Sequence, residues 1–176
     1  MASSSNGRLS SFFAVRIALL SFLLLALSTV CEAKNDCPWI NEATAGGLLG
    51  GDAVGDFKAP SQGQPAVCTF IAKDDSATRT LTISVLTTPD FSAELQSAMR
   101  ACGTDSTAIQ AIGNQASVCT QDNRKGGLGE LVVGRVRDQV FTILLGSSLK
   151  GDLILTRREL RSRIYTAAEQ VAGNLF

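Results

Sequence analysis

Residues 66–87 read AVCTFIAKDDSATRTLTISVLT, and the phase of the side chains in this stretch decides the fold. In TRTLTISVLT (78–87), Leu81, Ile83 and Val85 alternate with Thr82, Ser84 and Leu86, the two-residue period of a strand. AVCTFIAK (66–73) is a second β-rich run, and the polar DDSA between the two is a turn. Together they predict an antiparallel hairpin. The pattern returns downstream: ELVVGRVR (130–137), a two-residue turn at Asp138-Gln139, and VFTILLGS (140–147) predict a second hairpin.

Helical signals flank these pairs. TPDFSAELQSAMRACG (88–103) offers Thr88 as N-cap, Pro89 at the first helical position and Asp90 at the positive helix end. Phe91, Leu95, Ala98, Met99 and Cys102 recur at helical spacing until Gly103 stops the run. TRRELRSRIYTAAEQVAGNLF (156–176) opens with the Thr156/Glu159 pair of a capping box, and Leu160, Ile164, Ala168, Val171 and Leu175 line one face. NEATAGGLLG (41–50) has Asn41 to cap its start and Gly50 to end it, but Gly46 and Gly47 weaken it as a helix. It persists only if Trp39, Ile40, Leu48 and Leu49 pack on something larger.

Residues 51–66 read as a long loop. Residues 108–120, AIQAIGNQASVCT, read as a turn or short helix around Ile109 and Ile112 and then a short strand. The expected fold is α+β: an antiparallel sheet of four to five strands, packed with N-terminal, middle and C-terminal helices.

The start of the chain has the layout of a secretory signal: Arg8 and Arg16, the apolar run IALLSFLLLAL (17–27), then Cys31 and Ala33 at the −3 and −1 positions of a cut after Ala33. The run has 11 residues, against roughly 20 for a spanning helix. The expected organisation is a signal peptide over 1–33 and one domain over 34–176, exported to a periplasm or the exterior. The alternatives are an uncleaved anchor and a lipid on Cys31. Lipid attachment favours leucine three residues before the cysteine and a small residue directly before it, where this chain has Ser28 and Val30.

Cysteine arithmetic agrees. Of five cysteines, the cut discards Cys31 and leaves Cys37, Cys68, Cys102 and Cys119, an even set suited to an oxidising compartment. Four cysteines allow three connectivities. The favoured one joins Cys102 to Cys119 from the middle helix to the following strand, and Cys37 to Cys68 to tether the glycine-weakened start.

Composition excludes several functions. The same cut removes Arg8, Arg16 and Glu32, leaving 14 basic and 15 acidic side chains, so no basic surface is expected to hold nucleic acid. The chain has no histidine. That removes Ser-His and Cys-His nucleophile pairs and histidine-bearing zinc sites. No Cys-x-x-Cys spacing occurs, so the cysteines are read as structural. No motif implies a cofactor. Asp52 and Asp56 lack EF-hand spacing, so no metal is expected.

The candidate binding residues are few. Trp39, the single tryptophan, either floors a ligand cleft or anchors the N-terminal segment on the core. Arg124 and Lys125, in RKGGLGE (124–130), either help cradle an anion or sit in a flexible hairpin loop. Asp74 and Asp75 read as turn residues. Arg157, Arg158, Arg161 and Arg163 read as a solvated helix face. A histidine-free hydrolase would require two of Asp52, Asp56, Asp90, Asp105 and Glu130 to converge.

Cys37, Leu49-Gly50-Gly51, Cys68 and Ile112-Gly113-Asn114-Gln115-Ala116 carry a resemblance across most of the segment after residue 33. In this order, with a C-terminal amphipathic helix, the pattern resembles small exported bacterial proteins of unknown function. It is also similar to actinobacterial lipoproteins and to extracellular sensor domains of mycobacterial receptor kinases. The resemblance implies a shared architecture and supplies no active site. The expected function is non-catalytic binding of a small ligand or an envelope partner, with no membrane span after cleavage. The alternatives are the hydrolase and a structural envelope component.

Overall fold

A computed structural model describes residues 36–122 and 126–176. Residues 1–33, with Cys31 and the expected signal peptide, lie outside the described residues, as do Arg124 and Lys125.

Among the described residues the chain forms α1 (Glu42–Leu49), β1 (Ala53–Lys58), β2 (Ala66–Lys73), β3 (Thr78–Thr87), α2 (Phe91–Met99), β4 (Thr107–Ile109), β5 (Gln115–Thr120), β6 (Leu128–Val136), β7 (Gln139–Ser147) and α3 (Arg157–Asn174). A single 3₁₀ turn, Arg100–Cys102, follows α2. All seven strands belong to one antiparallel sheet in the order β1-β2-β3-β7-β6-β5-β4. Two meanders, β1–β3 and β4–β7, therefore join along β3 and β7, with α2 carrying the chain to the far edge.

The α+β class and the antiparallel sheet are as expected, but seven strands replace the four to five read from sequence. The 51–66 stretch holds β1, and β4 precedes the short strand β5. Strand β1 hides because Gly55 and Asp56 interrupt its apolar pattern. Gly55 is required there: a Cβ would stand 2.7 Å from Cε1 of Phe70, the residue opposite it on β2.

Side-chain phase sorts the sheet into two faces. Leu81, Ile83 and Val85 of β3 share a buried face with Phe70 of β2, Phe141, Ile143 and Leu145 of β7 and Val132 of β6. Helices α1 and α3 close this face through Leu48, Leu49, Leu160, Ile164, Ala168 and Val171, giving the main core. On the other face α2 covers only part of the sheet, where Leu95 and Cys102 meet Cys119, Leu131, Val133 and Val140. Strand β6 lies under helices on both sides, so nearly all of it is buried and its burial does not alternate along the strand.

Local signals act mostly as read. Asn41 Oδ1 accepts from Thr44 N at 2.8 Å, and Gly50 ends α1 in the left-handed conformation at φ 72°. Thr156 accepts from Glu159 N at 3.3 Å and caps α3. Two boundaries move. The N-cap of α2 is Asp90, not Thr88, whose hydroxyl instead accepts from Asp90 N at 3.2 Å. The β6–β7 turn is Arg137-Asp138, one residue earlier than expected, with Arg137 at φ 55° and its N–H held by Asn114 Oδ1 at 2.7 Å.

Eight residues make a marginal helix alone, and α1 is held by tertiary contacts. Glu42 Oε1 accepts from Gly55 N of β1 at 2.9 Å. At the other end, Arg163 Nη1 donates to the carbonyls of Gly47 and Leu48 at 3.3 and 3.1 Å, satisfying groups a helix C-terminus leaves open. No helix among the described residues is long and apolar enough to cross a membrane.

Candidate functional site

Beside Trp39, at the end of the sheet where β3 finishes and β7 begins, the N-terminal segment, the β1–β2 loop and the strand ends enclose a cleft of ≈ 370 Å³. Its apolar walls are Pro38, Trp39, Phe57, Pro60, Ala66 and Val85, and its polar groups include Ser61, Gln64, Thr87 and Gln139. None of the described lining residues is charged.

The wall that carries Trp39 is fixed from three directions. The Cys37–Cys68 disulfide ties the preceding residues to β2. Asn174 Nδ2, at the end of α3, donates to the Trp39 carbonyl at 2.8 Å. The indole meets Phe57 of β1 edge to face, with ring centroids 6.3 Å apart and planes at 84°. Trp39 is only 9% exposed. It therefore both anchors the segment and forms part of the cleft wall, presenting little open ring face. The opposite wall is the β1–β2 loop, pinned by a turn in which Gln64 N donates to Ser61 O at 2.9 Å and Gly63 takes φ 70°.

The second disulfide, Cys102–Cys119, lies on the other face and fastens the end of α2 to β5. Both pairings coincide with the favoured connectivity. All four described cysteines are thus bridged, and among the described residues no group of three or more His, Cys, Asp or Glu side chains could hold a metal.

The five carboxylates weighed for acid–base chemistry lie in separate surroundings. Asp52 precedes β1 and Asp56 stands exposed on it opposite Thr69. Asp90 caps α2, and Asp105 accepts from its neighbour Thr104 at 3.2 Å. Glu130 is wholly buried on β6 beneath α3. Strands β1 and β6 are four positions apart in the sheet, about 19 Å at ordinary strand spacing.

Glu130 belongs to a charge cluster instead. Arg157 Nη1 donates to its Oε1 at 3.3 Å, and Arg161 Nη2 lies 3.0 Å from Oε2 as an ion pair that is not a well-directed hydrogen bond. Arg157 also grips Asp122 through Nη2 at 2.6 Å, which holds the Asp122 carboxyl below its usual range. The arginines of α3 are consequently not a plain solvated face. Arg157 and Arg161 dock the helix on the sheet and Arg163 caps α1, leaving Arg158 exposed.

A second buried cluster escaped the sequence reading. Arg79 and Asp152 are 2% and 3% exposed and pair bidentately. Ser147 Oγ and the N–H groups of Ile154 and Leu155 also donate to Asp152, at 2.6, 2.8 and 3.1 Å. Burial alone would raise the Asp152 pKa, but the bonds from Arg79, Ser147 and the backbone outweigh it and hold the group well below the usual carboxylate range. Asp74 acts as the turn residue it reads as. Its Oδ1 accepts from Ser76 Oγ, Ser76 N and Ala77 N, and its Oδ2 pairs with Arg79 at 2.7 Å, so its pKa is also held low. The signal for Arg79 was present: it shares the phase of Leu81, Ile83 and Val85, placing an arginine on the core face.

These charges bind the chain to itself. The cleft beside Trp39 has apolar walls and uncharged polar groups, of which Gln139 Nε2 donates weakly to Thr87 Oγ1 at 3.5 Å, whereas the charged clusters are occupied by internal partners. No family model, curated protein or solved structure matches the chain.

Proposed function

We propose that the exported form of this protein is a non-catalytic binding module, and that the cleft beside Trp39 receives an uncharged, partly apolar ligand or segment. The observation that carries this reading is the combination of a fixed wall and an uncharged lining. A disulfide, a side-chain-to-backbone hydrogen bond and an aromatic contact converge on Trp39. Four neutral side chains, Ser61, Gln64, Thr87 and Gln139, supply donors and acceptors around an apolar base. Such a surface is organised before the ligand arrives, which lowers the ordering cost of binding. Export is supported by two disulfides, which persist in oxidising compartments. The dispersal of the candidate carboxylates supports binding over hydrolysis.

The test uses the single tryptophan. Neutral amphiphilic fragments screened by NMR should shift the Trp39 indole N–H together with the side-chain amides of Gln64 and Gln139. Ser61→Trp, which fills the cleft from its exposed rim, should abolish those shifts. Binders that perturb only other surfaces would remove the proposal. So would turnover of an ester, phosphate, glycoside or peptide that a point substitution abolishes.

A further inference from the structure

The Trp39 cleft does not end at the rim of the sheet. A second cleft, of ≈ 320 Å³, runs along the opposite face between β3, β7 and α2, and both are lined by Gly63 and Leu86. A side-chain-free residue and one leucine are thus common to both walls. The second cleft has hydroxyls on its floor at Ser84 and Thr142, a wall of Ser97 and Ala98 from α2, and one charged side chain, Glu94. Glu94 is exposed and, among the described residues, has no ion pair.

We propose that the two clefts form one groove for an extended peptide segment. An apolar side chain sits among Trp39, Phe57 and Pro60, and a lysine, an arginine or an amino terminus lies against Glu94. This rests on the binding-module reading and gives the class of its ligand. Three features select a peptide over a sugar chain. Trp39 is turned edge to face against Phe57, so it offers an apolar wall rather than an open ring on which a pyranose would stack. Hydroxyl and amide side chains, able both to donate and to accept, line both clefts, at Ser61, Gln64 and Gln139 in one and at Ser84 and Thr142 in the other, and suit the N–H and C=O groups of an extended backbone. The lone carboxylate lies beyond the rim, so the charge it favours is positive and displaced from the apolar end.

The experiment is selection of a display library of linear twelve-residue peptides on the full chain, followed by affinity measurement on the enriched sequences. The expected outcome is enrichment of an apolar residue at a fixed distance from lysine or arginine. Glu94→Gln should remove the preference for the basic residue and weaken the best peptide about fivefold, roughly 1 kcal/mol, the upper end for an exposed ion pair. Ser84→Trp, which obstructs the second cleft alone, should weaken it at least as much without changing the melting temperature. If peptides bind but neither variant matters, the continuous groove is overturned while the Trp39 cleft stands. If no peptide is enriched but another neutral molecule shifts the Trp39 indole, the peptide class is overturned and the binding reading stands. If nothing engages Trp39, both fall.

Discussion

Arg79 and Asp152 meet as a buried bidentate pair, Nε to Oδ2 at 2.7 Å and Nη2 to Oδ1 at 3.0 Å, joining the second residue of β3 to the loop that follows β7. Desolvation offsets much of the attraction in such a pair, so its presence alone is a weak stabiliser. Removing one partner is different, because the other stays buried and uncompensated. Arg79→Met should cost about 3–5 kcal/mol in urea unfolding. The double variant Arg79→Met/Asp152→Leu should cost clearly less than the two single changes added together. Single variants within 1 kcal/mol of the parent, on the order of the value of an exposed pair, would contradict this burial.

The same hub sets an acid limit on stability. Hydrogen bonds hold Asp152 and Asp74 below their ordinary value, which for an aspartate in an unfolded chain is about 3.9. A depressed folded pKa contributes stability above the unfolded value and loses it as pH falls toward the folded one. The melting temperature should therefore change little from neutrality down to about pH 5 and drop steeply below about pH 4. Asp152→Asn should start lower and fall less steeply over that acid range. Parallel profiles for the two proteins would show that Asp152 does not carry the acid transition.

How much of this was legible depended on range. The hairpins β2–β3 and β6–β7 showed in strand alternation and in a β-rich run bounded by turns. The caps Asn41, Gly50 and Thr156 were legible because each acts within one turn of its helix. Strand β1 was not, since Gly55 breaks its pattern for the sake of Phe70, a residue known to be opposite only once the strands are paired. Arg79 could be placed on the core face by phase, but Asp152, 73 residues away, could not be named as its partner. The same applies to the cleft. Trp39 stood out by its rarity, while Gln64, Gln139 and Leu86 carry no local signal and become site residues only because three chain segments converge there.

Two glycines make opposite predictions from the space around them. Gly47 lies within α1 with nothing within 4 Å of a Cβ built on it. Gly47→Ala should stabilise by about 0.5–1 kcal/mol, the difference in helical backbone cost between the two residues. Gly134 lies on β6 opposite Phe141, and its Cβ would stand 2.4 Å from Cζ of that wholly buried ring. Gly134→Ala must displace the ring and should cost about 1–3 kcal/mol, the usual range for overpacking. Differential scanning calorimetry should give shifts of opposite sign; two shifts of the same sign would contradict this account of the two sites.

The two disulfides should separate stability from site geometry. Cys37–Cys68 spans 31 residues and Cys102–Cys119 spans 17, so on chain-entropy grounds each contributes about 3–4 kcal/mol. Paired alanine replacements should therefore lower the unfolding free energy by similar amounts. Their effect on Trp39 should differ. Without Cys37–Cys68 the N-terminal segment keeps the Asn174 hydrogen bond and the Phe57 contact but loses its covalent hold on β2. Tryptophan emission should then shift to longer wavelength well below the melting transition, and peptide affinity should drop with it. Without Cys102–Cys119, on the opposite face, emission should stay unchanged until the domain melts. Unchanged emission after loss of Cys37–Cys68 would mean that the hydrogen bond and the aromatic contact suffice to place the indole, and that the bridge does not shape the cleft.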